Sequence, residues 1–237
     1  LNYSETNPFF GIPQKKINNA IEDIYNVHLN PKTGKITTDG AKLLEVIHRY
    51  ASANIPVDYW FREMDKFEGD DSLVRSYKEM TASVKKSYDD GKNYCFAGAH
   101  GRGKTMTACC MLKRVVETGK YNALYVNLTD IVNLMASYSS EDREVKSAAR
   151  KLLLSVDFLV IDEFDSRFMG TDNATDLFGR MLEPVLRSRI QNKLPTIFCT
   201  NNTEPDSLFN GALKQSFKSL MQRVKTVNIL GTDFRKK

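Results

Sequence analysis

Few patterns constrain a chain as tightly as a short apolar strand that breaks into a glycine-rich loop ending in Gly-Lys-Thr. Here the strand is Tyr94 to Ala97, and the loop runs Gly98-Ala99-His100-Gly101-Arg102-Gly103-Lys104-Thr105. A helical pattern follows it. The spacing Gly98-x-x-x-x-Gly103-Lys104-Thr105 is that of a phosphate-binding loop. Glycines let the backbone turn tightly, so that successive N–H groups point at phosphate oxygens. Lys104 adds a full positive charge near the β- and γ-phosphates, and the Thr105 hydroxyl is a ligand for Mg²⁺. The next helix turns its positive end toward the same anion. The expected nucleotide cradle is Gly98, Ala99, His100, Gly101, Arg102, Gly103, Lys104, Thr105 and Met106. The bland alternative is a turn that binds nothing, but the full motif in strand–loop–helix order favours a nucleotide. His100 and Arg102 are larger and more polar than such a loop needs. Arg102 either faces solvent or touches a neighbouring nucleotide.

A second feature points the same way. Phe158-Leu159-Val160-Ile161 is an apolar strand followed by Asp162-Glu163. At the carboxyl end of a buried strand, Asp162 would sit beside the loop and hold Mg²⁺ directly or through water. Glu163 would accept a proton from the attacking water. Alone, two acids after a strand are commonly solvated turn residues; downstream of a full phosphate loop they complete an ATPase site. Asp165 reads as a loop or helix-entry residue. The later strand Thr196–Thr200 ends in Asn201-Asn202. Asn201 is placed to orient the lytic water, or else is a simple turn former.

Around these motifs strands and helices alternate. Strands are expected at 94–97, 123–127, 158–161, 196–200 and 224–230. Helices are expected at 104–118, 130–138, 142–154, 172–190, 205–209 and 213–222, with a kink or restart at Pro184. This alternation argues for an α/β fold with a five-stranded parallel sheet between helices. Ahead of it, residues 13–27 and a stretch after Thr38 carry apolar residues at helical period around a polar turn, Asn30 to Lys35. A further helix, capped by Asp71 or Ser72, is expected to run to about Asp89. The chain thus divides into a small helical N-terminal region, 1–52, and a nucleotide-binding domain, 53–237.

Composition excludes some classes. Of 237 residues, 41% are hydrophobic and 27% charged, so a sizeable core is affordable. The net charge of +5 is mildly basic, compatible with nucleic acid but not diagnostic. Cys95, Cys109, Cys110 and Cys199 form no C-x-x-C pair, which argues against zinc and against a disulfide framework. Buried free thiols in a cytoplasmic protein are the simple reading. No run approaches the roughly 20 apolar residues that span a bilayer, and no signal peptide is visible. The chain opens on Leu1 rather than Met, which leaves the start of the protein open.

Together these parts resemble the AAA+ ATPases. Within them the chain is similar to the DnaC/DnaI-type replicative helicase loaders, with the IstB-type transposition ATPases as near relatives. The resemblance covers about residues 53–237. It rests on Asn54-Ile55-Pro56-x-x-Tyr59, Gly98–Thr105, Asp162-Glu163, Arg187-Ser188-Arg189, Pro195-Thr196-Ile197, Thr200-Asn201, Leu220-Met221-Gln222-Arg223-Val224 and Gly231-Thr232-Asp233-Phe234-Arg235. It implies ATP or ADP and Mg²⁺ as cofactors, Asn201 as the first sensor, and Ile55 and Arg235 beside the nucleotide. It also implies Arg223 as an arginine finger reaching the nucleotide of the next subunit in a homo-oligomer. The catalytic set is then Lys104, Glu163, Asn201 and Arg223. The chain stops soon after the fifth strand, without room for the helical lid of other AAA+ proteins. The implied partners are a hexameric replicative helicase, bound through the N-terminal region, and single-stranded DNA.

In loaders and initiators the helices between the second and third strands line the single-stranded DNA path. The matching region here carries Arg143, Lys146, Arg150 and Lys151, of which Lys146, Arg150 and Lys151 are the expected DNA contacts. A solvated face balanced by Glu141, Asp142 and Glu144 explains the same charges. Two other readings stand beside the loader: an IstB-like target selector for transposition, and a nucleotide-binding helicase adaptor or inhibitor without turnover.

Overall fold

The computed structural model describes residues 7–136, 143–165, 172–204 and 211–230. Five strands form one sheet: β1 (Tyr94–Ala97), β2 (Ala123–Asn127), β3 (Phe158–Asp162), β4 (Thr196–Thr200) and β5 (Lys225–Asn228). Their order is β2-β3-β4-β1-β5, and every pair is parallel. The runs Tyr-Cys-Phe-Ala, Phe-Leu-Val-Ile-Asp and Thr-Ile-Phe-Cys-Thr are buried at every position. That is what a parallel strand covered on both faces requires.

The two-residue alternation of each strand divides the apolar residues into two clusters, one on each face. Tyr94, Phe96, Tyr125, Phe158, Val160, Ile197, Cys199 and Val227 point to one side. Helices α1 (Gln14–His28), α2 (Thr38–Ser52), α3 (Asp71–Thr81) and α5 (Lys104–Glu117) contribute to that cluster. Cys95, Leu124, Val126, Leu159, Ile161 and Phe198 point to the other. There they meet residues of α6 (Leu128–Ala136), α7 (Arg143–Ser155), α8 (Asp172–Gln191) and α9 (Gly211–Met221). No helix among the described residues is long and apolar enough to cross a membrane. The helical pattern expected at 205–209, the last residues of the helix expected at 130–138, and Arg235 lie outside the described residues.

The N-terminal hairpin follows its sequence pattern. Ile17, Ala20 and Ile24 of α1 face Ile47, Tyr50 and Ala51 of α2, and a bridge between Leu29 and Ile36 closes the polar turn. The hairpin shares one apolar cluster with Met111, Leu112 and Val115 of α5. A polar network fastens it further. Lys113, 1% exposed, donates to the Arg62 carbonyl (2.6 Å) and to Glu63 (3.2 Å), and its ammonium lies over the Tyr50 ring. The Tyr50 hydroxyl donates to Glu117 at the end of α5. Burial and that carboxylate push the tyrosine pKa well above its usual value, so it stays a neutral donor.

Two local readings change. The helix expected to run unbroken to Asp89 is capped by Asp70, whose carboxylate accepts from Ser72 N at 2.8 Å, and it ends at Thr81. Ser83 then caps a separate short helix, α4 (Val84–Asp89), by accepting from Lys86 N. A serine there offers an N-cap that competes with continuing the helix. By contrast, α8 runs through Pro184 without a restart.

The outer edge of β2 is covered. Tyr125 N donates to Ala53 O (2.8 Å), and Asn54 Nδ2 donates to Tyr125 O (3.0 Å) and to Phe9 O (2.9 Å). Asn54 adopts φ 56°, a left-handed conformation that asparagine tolerates better than most residues.

Arg189 has a structural place. It is fully buried and donates to Leu153 O (2.7 Å), Val156 O (2.8 Å), Pro195 O (3.1 Å) and Thr196 Oγ1 (3.1 Å). Burial lowers its pKa from the ordinary arginine value. The carbonyls at the C-terminal end of α7 offset the cost by facing the charge. Arg189→Lys should therefore destabilise the protein by about 3 kcal/mol, because one ammonium cannot serve four acceptors. That is a loss of roughly 6–12 °C in melting temperature, and a melting curve matching wild type would refute it.

Candidate nucleotide site

The loop is built where β1 ends. Gly98 N continues the ladder by donating to Thr200 O (3.2 Å). A Cβ on Gly98 would lie 2.7 Å from Ile229 O, so only glycine lets the chain leaving β5 pass this closely. Gly103 has φ 86° and is the N-cap of α5, which begins at Lys104. The positive end of α5 therefore opens onto the loop. The half-buried ring of Phe67 rests against Gly103, at 2.5 Å from where a Cβ would stand. Arg102 donates to Ile229 O at 2.5 Å, which ties the loop to the exit of β5 within the same chain.

Lys104 is buried, and its amine is held by Gly98 O (2.6 Å), Ala99 O (2.8 Å) and Asn201 Oδ1 (2.9 Å). This places the Asn201 side chain at the centre of the loop. The acid pair completes the arrangement from β3. Asp162 is 5% exposed; its Oδ1 accepts from Glu163 N (2.8 Å) and its Oδ2 from the Tyr125 hydroxyl (2.7 Å). Burial and the Asp162 charge raise the Tyr125 pKa, which keeps that hydroxyl protonated. Glu163 takes φ 51°, a conformation costing a non-glycine residue about 1–2 kcal/mol. The turn leaves Glu163 exposed while Phe164 returns to the core. There Phe164 N donates to Cys199 O (2.8 Å), and its ring packs on Phe198 and Phe217. Phe164 anchors the bend that presents Glu163.

One open cleft is lined by His100, Gly101, Arg102, Gly103, Lys104, Thr105, Met106, Asp162, Glu163 and Asn201, with Tyr59 and Cys199. Gly98 and Ala99 support it through their carbonyls on Lys104. Ile55 is fully buried in the apolar core and is not among the residues lining the cleft; its carbonyl accepts from Trp60 Nε1 (2.7 Å). Arg223 is exposed and lies elsewhere, in a shallow depression with Arg187, Ile190 and Leu220. On α7, Arg143, Arg150 and Lys151 are exposed, whereas Lys146 is half-buried at the edge of the stripe of Ala149 and Leu153. The four cysteines are buried and unpaired by disulfides; burial, first, raises the Cys109 and Cys199 pKa values.

The donor set suits Mg²⁺. Thr105 and Asp162 offer a hydroxyl and a carboxylate in one cleft. Mg²⁺ is typically held by one or two protein oxygens together with substrate phosphates and water. The described residues contain no cluster of three or more His, Cys, Asp or Glu able to hold a metal by themselves.

Sequence reasoning passed over Tyr125 and Phe67. Tyr125 meets Asp162 only through the β2–β3 register, which sets Asn127, two residues on, opposite Asp162. Phe67 follows a short 3-10 turn, Met64–Lys66, and the sequence carried no signal of its place against Gly103.

Residues 50–206 match the family of IstB-like ATP-binding proteins. The chain belongs to that family. Solved structures share its fold. A DnaC helicase loader superposes with TM-score 0.58 and 18% identity, over 73% of this chain and 98% of that one. A putative primosome component from Streptococcus pyogenes gives 0.56 and 13%, over 76% and 92%. The replication initiator DnaA, bound to AMPPCP and single-stranded DNA, gives 0.51 and 18%, over 69% and 47%. The chain spans about half of the longer initiators, 48% in the case of a crystallised DNA replication initiation factor. At these identities the likeness shows a shared fold. No curated protein matches the sequence significantly.

Gly103→Ala tests the loop of this IstB-like protein. It should cost about 2 kcal/mol of stability and weaken nucleotide binding, because φ 86° is strained for alanine. Adding Phe67→Ala should recover little, since the end of a ring can move aside but the backbone cannot. Full recovery in the double mutant, read by urea titration, would show that the ring contact matters and the backbone does not.

Proposed function

We propose that this protein is an ATP-dependent helicase loader that works in the cytoplasm during replication initiation. The observation that carries the reading is the single cleft joining Lys104, Thr105, Asp162, Glu163 and Asn201. The match over 98% of a DnaC helicase loader favours the loader branch of the fold.

In this reading the loop N–H groups and the start of α5 hold the phosphates of ATP. Lys104 exchanges its carbonyl partners for the β- and γ-phosphates. Thr105 and Asp162 hold Mg²⁺, which when bound neutralises charge on the phosphates. Glu163, exposed at the cleft, takes a proton from the attacking water, and Asn201 orients that water. Arg223 serves the nucleotide of the next subunit; its exposure away from its own cleft supports that role. A guanidinium suits it because it is always charged and forks onto phosphate oxygens. Arg235 is assigned to the nucleotide by resemblance. Ile55, too, is assigned to the nucleotide by resemblance. The helical hairpin of α1 and α2 is the surface offered to a hexameric helicase, and the basic residues of α7 follow single-stranded DNA. The family match favours a second reading, a target-selecting ATPase for transposition that binds duplex DNA and a transposase.

Mixing the protein with hexameric replicative helicases, ATP and single-stranded DNA tests the choice. A stable complex that delivers helicase to the DNA is expected. Duplex binding without any helicase complex would sink the loader reading in favour of the transposition one. Glu163→Gln should keep ATP binding and stop turnover; turnover unchanged in that variant removes Glu163 from its role. A wild-type protein that binds ATP without turnover would be an adaptor. Arg223→Ala should lower the turnover of the assembled protein by roughly 10³-fold while leaving nucleotide binding by the monomer intact.

A further inference from the structure

Asp162 is fixed from two directions, and one of them comes from a residue outside both nucleotide motifs. An ionised carboxylate is an acceptor only, with about two lone pairs on each oxygen. Glu163 N occupies one on Oδ1 at 2.8 Å, and the Tyr125 hydroxyl one on Oδ2 at 2.7 Å. One position remains on each oxygen, and Asp162 lines the cleft beside Thr105. The Glu163 donor follows from the backbone bend. The Tyr125 donor is a choice of side chain: on β2, Ala123, Leu124 and Val126 are apolar, and the single hydroxyl hydrogen has its shorter contact with Asp162 Oδ2 (2.7 Å) rather than with Asn127 Oδ1 (3.2 Å).

Tyr125 is itself held rigidly. Its strand pairs with β3, where Tyr125 stands opposite Val160 and Asn127 opposite Asp162. On the other side, its N–H and carbonyl are taken by Ala53 O and Asn54 Nδ2. The ring is 6% exposed in the cluster shared with α5. The hydroxyl therefore has a fixed position from which to set the carboxylate.

We propose that Tyr125 is a positioning residue for the metal, its hydroxyl fixing the Asp162 carboxylate so that the free lone pairs meet nucleotide-bound Mg²⁺ or its waters. The inference rests on the ATP–Mg²⁺ reading above. It assigns to β2 a part in metal affinity that neither the phosphate loop nor the acid pair contains.

The test is a binding measurement, independent of turnover. Affinity for a fluorescent ATP analogue is titrated in EDTA and over a range of Mg²⁺ concentrations, for wild type, Tyr125→Phe and Asp162→Asn. Removing a group that orients a metal ligand typically costs 10–100-fold in metal affinity. Tyr125→Phe should raise the half-saturating Mg²⁺ concentration by at least ~10-fold, with affinity in EDTA unchanged. Replacing Tyr125 by 4-aminophenylalanine, which puts an N–H donor in the same place, should return it toward wild type. An unchanged Mg²⁺ response in Tyr125→Phe, while Asp162→Asn loses its response, overturns the proposal alone. Equal losses with and without Mg²⁺ also overturn it, because they mark a role in folding. If Tyr125→Phe does not fold, the 4-aminophenylalanine variant decides: a half-saturation shifted like that expected for phenylalanine overturns the proposal. A wild-type protein whose nucleotide affinity ignores Mg²⁺ overturns the metal reading beneath it.

Discussion

The insertion of β4 between β1 and β3 is the constraint on which the site depends. All five strands are parallel, so their carboxyl ends emerge along one edge of the sheet. The loop after β1 and the acids after β3 therefore face each other across the end of β4. The residue that follows β4 is Asn201, and its side chain reaches Lys104. Were β1 and β3 adjacent, no strand end would lie between phosphate loop and acid pair. Ligands of open α/β sheets sit outside the carboxyl ends of the strands for this reason.

A second dependence is less visible. The helix that starts at the phosphate loop ends beside the N-terminal hairpin. Lys113 and Glu117 of α5 bind the Arg62–Glu63 segment and Tyr50 of α2. That segment continues through Phe67 to the ring resting on Gly103. A buried charge such as Lys113 is costly to strand without partners. The hairpin, the 57–67 segment and α5 therefore share a set of contacts in which none can shift without disturbing the others.

What the sequence revealed follows from how local each signal was. The phosphate loop was legible because its glycines, lysine and threonine are contiguous, and the acid pair because it ends an apolar run. The parallel sheet was legible from the alternation of elements. The break between α3 and α4 was missed because the apolar pattern continues across it, while Ser83 caps the new helix by its side chain. Pro184 suggested a kink or a restart, and α8 continues through it without a restart. Arg189 and Tyr125 could not be read locally. Their partners lie 6–36 and 37 positions away in the sequence, and only the packed sheet brings them together. Arg102 illustrates the same point, since its partner Ile229 is 127 positions away.

The cover over β2 has a consequence for how copies of this protein can meet. An open parallel edge is a template for another strand, and repeated pairing there leads to uncontrolled association. Here Ala53 and Asn54 already occupy the backbone groups of Tyr125 in the middle of that edge. On the far side of the sheet β5 is four residues long, and three of its side chains are exposed. Sheet extension is thus blocked at one border and short at the other. Any ordered assembly of subunits is left to side-chain surfaces, where geometry rather than the repeating backbone sets where growth stops.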